Sequence, residues 1–251
     1  MVGLGWDDKA IEEMALSALK AIKTGVEECE PNRVRLALDD IDSIYDKVTP
    51  KIRGKIHKGL GSMFSNFVPK EAGMAQFEDN EEESWGEKQR ALEGCYVLAV
   101  GILFDKEEGD EILLTALKRS HIKDWPRVRA VIYEGLSYRD DPDLIKHFTQ
   151  GLSDPAYLVV AASVNALGRF QDHDMKVRRV IVKNLVEAYA GQQAVIDKAV
   201  RRKKGVEEAE QFMLHIEVPF NDALMALTRQ ACSDATEWEE WFDENGSEDV
   251  W

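Results

Sequence analysis

Asp154-Pro155-Ala156-Tyr157-Leu158-Val159-Val160-Ala161-Ala162-Ser163-Val164-Asn165-Ala166-Leu167-Gly168 is the stretch that decides the fold. Its Asp and Pro predict a capped helix start, its apolar residues a buried stripe, and its Gly the helix end. Immediately downstream, Val177, Val180, Ile181, Leu185 and Tyr189 recur at helical spacing. They predict a second helix that packs back on the first.

The same arrangement recurs upstream. Asp124-Trp125-Pro126-Arg127-Val128-Arg129 opens a helix that carries Ile132 and Leu136, and a partner helix carries Leu144, Ile145, Phe148 and Leu152. Val128 stands to Val159, and Leu136 to Leu167, at one offset of 31 residues. A weaker third copy starts near Trp85. There Leu92 lies 36 residues before Val128, Val100-Gly101 closes the first helix, and Ile112, Leu113 and Leu117 mark the second. A period in the thirties with two amphipathic helices per unit predicts an all-α protein built as an α-solenoid.

Further out, helical spacing continues to the N-terminus. Asp7 or Asp8 caps a helix with Ile11, Met14, Ala15, Ala18, Leu19 and Ile22, and Gly25 is its predicted stop. Pro31 starts a helix whose buried face is Val34, Ala37, Leu38, Ile41, Tyr45 and Val48. Pro50 starts a third with Ile52, Ile56, Leu60, Met63, Phe64 and Phe67. Residues 1–68 therefore read as a small helical bundle or as degenerate repeats. Residues 69–84, with the run Glu78-Asp79-Asn80-Glu81-Glu82-Glu83, read as a solvated acidic linker. Residues 85–190 are the repeats, 191–216 a charged connecting segment formed by a helix end or a loop, and 217–251 the C-terminal capping helices and tail.

Composition narrows the function classes. The chain has 251 residues, 32 Lys and Arg against 47 Asp and Glu, and a net charge of −15. Such a charge repels phosphate backbones at long range, which argues against a nucleic-acid partner. No apolar run is long enough to span a bilayer, and Met1-Val2-Gly3-Leu4-Gly5-Trp6 is no secretory signal. Cys29, Cys95 and Cys232 are far apart and form no C-x-x-C, so a reducing cytoplasmic location is expected.

With Asp154-Pro155, Val159 and Ala166-Leu167-Gly168 in place, the segment resembles a HEAT-like repeat of bacterial type, whose opening is D-P-x-x-x-V-R-x-x-A-x-x-A-L-G. It departs at Val160, where that pattern has Arg, and at Ser163, where it has Ala. Val128-Arg129 keeps the V-R pair but is followed by Gly135-Leu136-Ser137 in place of the Ala-Leu-Gly close. At the C-terminus, Ala223-Leu224-Met225-Ala226-Leu227-Thr228 and Trp238-Glu239-Glu240-Trp241-Phe242 are similar to the A-L-x-x-L-T and W-x-x-W-W tail of many bacterial HEAT-repeat proteins, with Phe242 in place of the last Trp. Trp238 and Trp241, three residues apart, are expected to seal the end of the core together. The resemblance implies a right-handed α-solenoid that works as a non-catalytic scaffold or adaptor and binds a protein partner on its surface, the inner helices lining a shallow face. It implies neither an enzyme nor a cofactor. Two alternatives within the same repeat class are a phycobilin-lyase-like protein, with Tyr133, Tyr157 and Asp154 near a tetrapyrrole, and a DNA-binding solenoid like the alkylpurine glycosylases.

Candidate chemistry is sparse. His57, His121, His147, His173 and His215 form no ligand pair at one-turn spacing, and no phosphate loop or nucleophile elbow occurs. Asp172-His173-Asp174 and Arg139-Asp140-Asp141-Pro142-Asp143 read as polar turns between helices, and Cys95 as a buried inert thiol. Two basic groups stand out against the acidic background as candidate partner-binding residues. One is Lys51, Arg53, Lys55 and Lys58 on the third helix. The other is Arg201, Arg202, Lys203 and Lys204, with Arg178 and Arg179 earlier in the same region. Homo-oligomers through the solenoid ends or the N-terminal helices are a further expectation.

A charge placed in a core shared between repeats is very costly. Leu167→Asp is therefore expected to abolish the cooperative melt followed by circular dichroism at 222 nm. Replacing Glu81, Glu82 and Glu83 by Ser is expected to leave Tm nearly unchanged.

Overall fold

Prolines and aspartates set the helix starts. Pro31, Pro50 and Pro126 are each the first residue of a helix, where a missing N–H costs nothing. The Asp174 and Asp234 carboxylates accept from backbone N–H groups of the helices that follow them. The computed structural model describes residues 8–65, 82–104, 107–119 and 121–247. The helices are α1 (Asp8–Glu27), α2 (Pro31–Ile44), α3 (Pro50–Ser65), α4 (Glu82–Phe104), α5 (Glu107–Leu117) and α6 (Pro126–Leu136). They continue as α7 (Ile145–Gly151), α8 (Tyr157–Gly168), α9 (Met175–Arg202), α10 (Val206–Thr228) and α11 (Ala235–Asn245). Short 3-10 turns join several of them, and no strand occurs among the described residues. The protein is all-α, and no described helix is long and apolar enough to cross a membrane. Most of the 69–84 linker, and Phe67, lie outside the described residues; Glu82–Ser84 open α4.

The chain forms two compact units, Met1–Ile132 and Tyr133–Trp251. In the first, α1 packs on α2 and α3, α2 on α4, and α3 and α4 on α5. Helices two apart in sequence therefore touch, as do the consecutive pairs α1–α2 and α4–α5. Tyr96 of α4 anchors this core. Its ring is fully buried edge-on to Phe64 and Trp125, and its hydroxyl donates to the Met63 carbonyl at 2.9 Å. Arg129, the Arg of the V-R pair, is buried and donates to the carbonyls of Ile122 and Lys123. It ties α6 to the turn before it, and Val160, its counterpart in the next copy, has no guanidinium to repeat the bond.

The second unit has both kinds of contact as well. α7 packs on α8, α8 on α10, α9 on α10, and α9 also on α7 and α11. Ile181, Leu185 and Tyr189 of α9 are buried as their spacing predicts, and Tyr189 stacks on Phe220 of α10 at 4.7 Å. Trp238 is completely buried, and its Nε1 donates to Asn221 Oδ1 at 2.9 Å. Trp241 is only half-buried, edge-on to Trp238, so one Trp of the pair seals the end instead of two.

Several boundaries differ from the sequence reading. The helix expected from Pro155 begins at Tyr157, because Asp154 Oδ1 accepts from the Ala156 N–H and holds a turn there. Gly168 is not a left-handed cap. Its backbone is right-handed helical, and a Cβ there would lie 3.0 Å from Ala223 Cβ on α10. Its role is close approach of α8 and α10. Gly25 does the same between α1 and α2, where a Cβ would meet Val34 Cγ2 at 2.8 Å; the positive φ that ends this hairpin falls on Cys29 (φ 51). Residues 191–216 are helical except at the tight turn 203–205, where Lys203 and Gly205 take left-handed backbone (φ 52 and 69).

Ser163, the residue that departs from the repeat pattern, is fully buried, and its Oγ lacks a hydrogen-bond partner among the described residues. It faces Gly151 so closely that a Cβ on Gly151 would overlap the hydroxyl. An unsatisfied buried hydroxyl costs roughly 1–3 kcal/mol, so Ser163→Ala is expected to raise unfolding free energy by about 1 kcal/mol in urea titrations. Gly151→Ala is expected to lower it by about 1–3 kcal/mol through overpacking. The double variant should recover part of that loss, a coupling that a double-mutant cycle reads directly.

Candidate functional site

α9 carries apolar positions that its core does not use. On α9 the predicted stripe includes Val177 and Val180, yet Val177 is half-buried and Val180 is 53% exposed. Both open onto a groove of about 720 Å³ between α7 and α9, lined by Pro142, Ile145, Lys146, Thr149, Asp174, Lys176, Val177, Val180 and Asn184. Asn184 Nδ2 donates to Thr149 Oγ1 at 3.3 Å across the floor and joins the two walls. Asp174, the groove's one carboxylate, accepts from the Val177 N–H at 3.0 Å and serves as the α9 cap. A volume between about 300 and 1,000 Å³ is that of a ligand-sized site. A second exposed apolar stripe, Leu214, Val218 and Met225, runs along α10.

The predicted basic residues are scattered by the fold. Lys51, Lys55 and Lys58 follow each other at helical spacing on the outer side of α3, whereas Arg53 is on the core side with its guanidinium 5.3 Å from the Tyr45 ring centre. Lys55 pairs with Glu12 of α1 at 3.2 Å. Tyr45 in turn hydrogen-bonds His57 Nε2, so this end of α3 is a packed polar cluster. Arg178 donates to the Leu227 carbonyl at 2.8 Å and closes the end of α10, where a cation suits the helix dipole. Arg179 is half-buried. Arg201 and Arg202 end α9, Lys203 and Lys204 form the turn, and all four are exposed. Sequence reasoning therefore missed the groove lysines, Lys146 and Lys176, which stand at no unusual spacing. The available signal was the surplus of apolar residues at 177 and 180.

Reactive groupings are few. His173 Nε2 lies 2.7 Å from Asp140 Oδ1 and joins the turn after α6 to the turn after α8, while Asp141 accepts from the Asp143 N–H. No group of three or more His, Cys, Asp or Glu side chains gathers as a metal cage among the described residues. Tyr133 is buried against Phe148, Tyr157 stacks on His215 at 4.1 Å, and Asp154 caps a turn, so the three residues considered for a tetrapyrrole have separate structural tasks. No family model, curated protein or solved structure matches the chain.

Cys29 and Cys95 are buried, and Cys232 is half-exposed. Burial pushes the Cys95 thiol up to about 11 and raises Cys29 and Cys232 as well, so exposure is what sets Cys232 apart. A higher pKa leaves less thiolate at a given pH, and thiolate is the reactive form. With Ellman's reagent at about pH 8, near an ordinary thiol pKa, Cys232 is expected to react first. Cys29 and Cys95 should respond only after denaturant is added.

Proposed function

We propose that the protein is a HEAT-like interaction scaffold that binds a protein partner along α7 and α9, without chemistry of its own. The observation that carries this reading is the open apolar groove between α7 and α9, which holds an exposed Val180 where the repeat pattern calls for a core residue. An exposed apolar surface walled by polar residues is characteristic of an interaction site. The packing of alternate helices within each unit supports the solenoid reading, because stacked hairpins put first helices in one row and second helices in the other. The α1–α3, α2–α4 and α3–α5 contacts favour degenerate repeats over a closed bundle for the N-terminal helices. In such an array α7 and α9 are both second helices, the row that lines the inner face.

The test is site-specific photo-crosslinking in living cells, with a benzophenone amino acid at position 180 and, as control, at Glu13 of α1. A discrete adduct at 180 that Ile145→Glu removes is expected. Absence of any adduct at 180, or one that Ile145→Glu leaves intact, contradicts the reading.

A further inference from the structure

The scaffold reading leaves the chemistry of the partner open, and the groove supplies it. Lys146 projects from α7 and Lys176 from α9, both exposed and both lining the apolar floor. Among the described residues neither is in an ion pair, whereas Lys183, farther along α9, is paired with Glu187 at 3.7 Å. The groove's only carboxylate is engaged by the backbone of α9. In a chain with 47 acidic and 32 basic residues, an apolar channel lined by two lysines and one aspartate reverses the overall charge balance locally. We infer that the α7–α9 groove receives an acidic amphipathic segment of the partner, apolar side chains on Ile145, Val177 and Val180, carboxylates to Lys146 and Lys176. This rests on the scaffold reading and deepens it.

A nucleic acid is the poorer fit. Single strands are held by aromatic rings on which bases stack, and no aromatic side chain lines the groove. The valines and Ile145 offer nothing to a phosphate backbone, while an amphipathic helix laid in an apolar groove uses them directly.

The probe is a fluorescein-labelled synthetic helix of about 16 residues, long enough to be helical alone, with Leu on one face and Glu on the other. Its controls are the same peptide with Gln for Glu and an oligothymidylate of similar length. Fluorescence anisotropy on the full chain is expected to show saturable binding of the Glu peptide, weaker at higher salt. Kd should rise about tenfold or more in Lys146→Glu/Lys176→Glu, and less in the matching Ala pair. Lys9→Glu on α1 should change it by no more than about twofold. These lysines are exposed, and unchanged circular dichroism establishes that the variants fold. No binding of the Glu peptide, equal binding of the Gln peptide, tighter binding of oligothymidylate, or indifference to the lysine pair each overturns the inference. A partner crosslinked at position 180 through a neutral or basic segment overturns it too, yet leaves the scaffold reading standing.

Discussion

A two-helix hairpin with one apolar stripe per helix cannot cover both stripes by itself. In the array we propose, that constraint holds the helices together. Consecutive helices such as α1–α2 and α9–α10 cover part of each stripe, helices two positions along cover more, and hydrophobic burial is the dominant gain. The contacts α1–α3, α2–α4, α8–α10 and α9–α11 are its direct expression. Small residues sit at close approaches of both kinds: Gly168 against Ala223 between α8 and α10, and Gly25 against Val34 and Gly151 against Ser163 between consecutive helices. A Cβ at any of them would force two helices apart and open the core that both share.

The same constraint divides the cations between structure and surface. Arg129 is committed to carbonyls of the preceding turn, Arg178 to the end of α10, Arg53 to the Tyr45 ring and Lys55 to Glu12. These residues stand out in the sequence because they are basic in an acidic chain, yet packing consumes them. Arg201 to Lys204 stay exposed at a turn, and Lys146 and Lys176 stay exposed in a groove with Val177 and Val180. A recognition site made of such remainders suits the scaffold we propose, since stability does not depend on them.

The all-α class and most of the buried stripes were legible because helical period is a strong, redundant signal. Ile181, Leu185, Phe148 and Leu167 occupy the core as their spacing requires. The helix starts were less legible: Asp154 looked like a cap one residue before its proline, but its side chain closes a turn first and the helix waits until Tyr157. Gly168 does end its helix and Gly25 lies two residues before the end of α1, but neither has positive φ; a glycine that permits close approach and one that adopts positive φ look identical in sequence. The groove was hidden for a related reason. Period alone puts Val180 on the buried face, and whether a neighbour covers that face depends on how short α7 is, seven residues against twenty-eight in α9.

In the array we propose, stability passes from neighbour to neighbour instead of residing in one indivisible core. Hydrogen exchange followed by mass spectrometry on Trp238→Ala, which empties the contact closing α11, tests this most directly. A row of stacked hairpins predicts graded loss of protection in the second unit, greatest in α11, smaller in α9 and α10, least in α7 and α8. Equal loss across all five helices would contradict it.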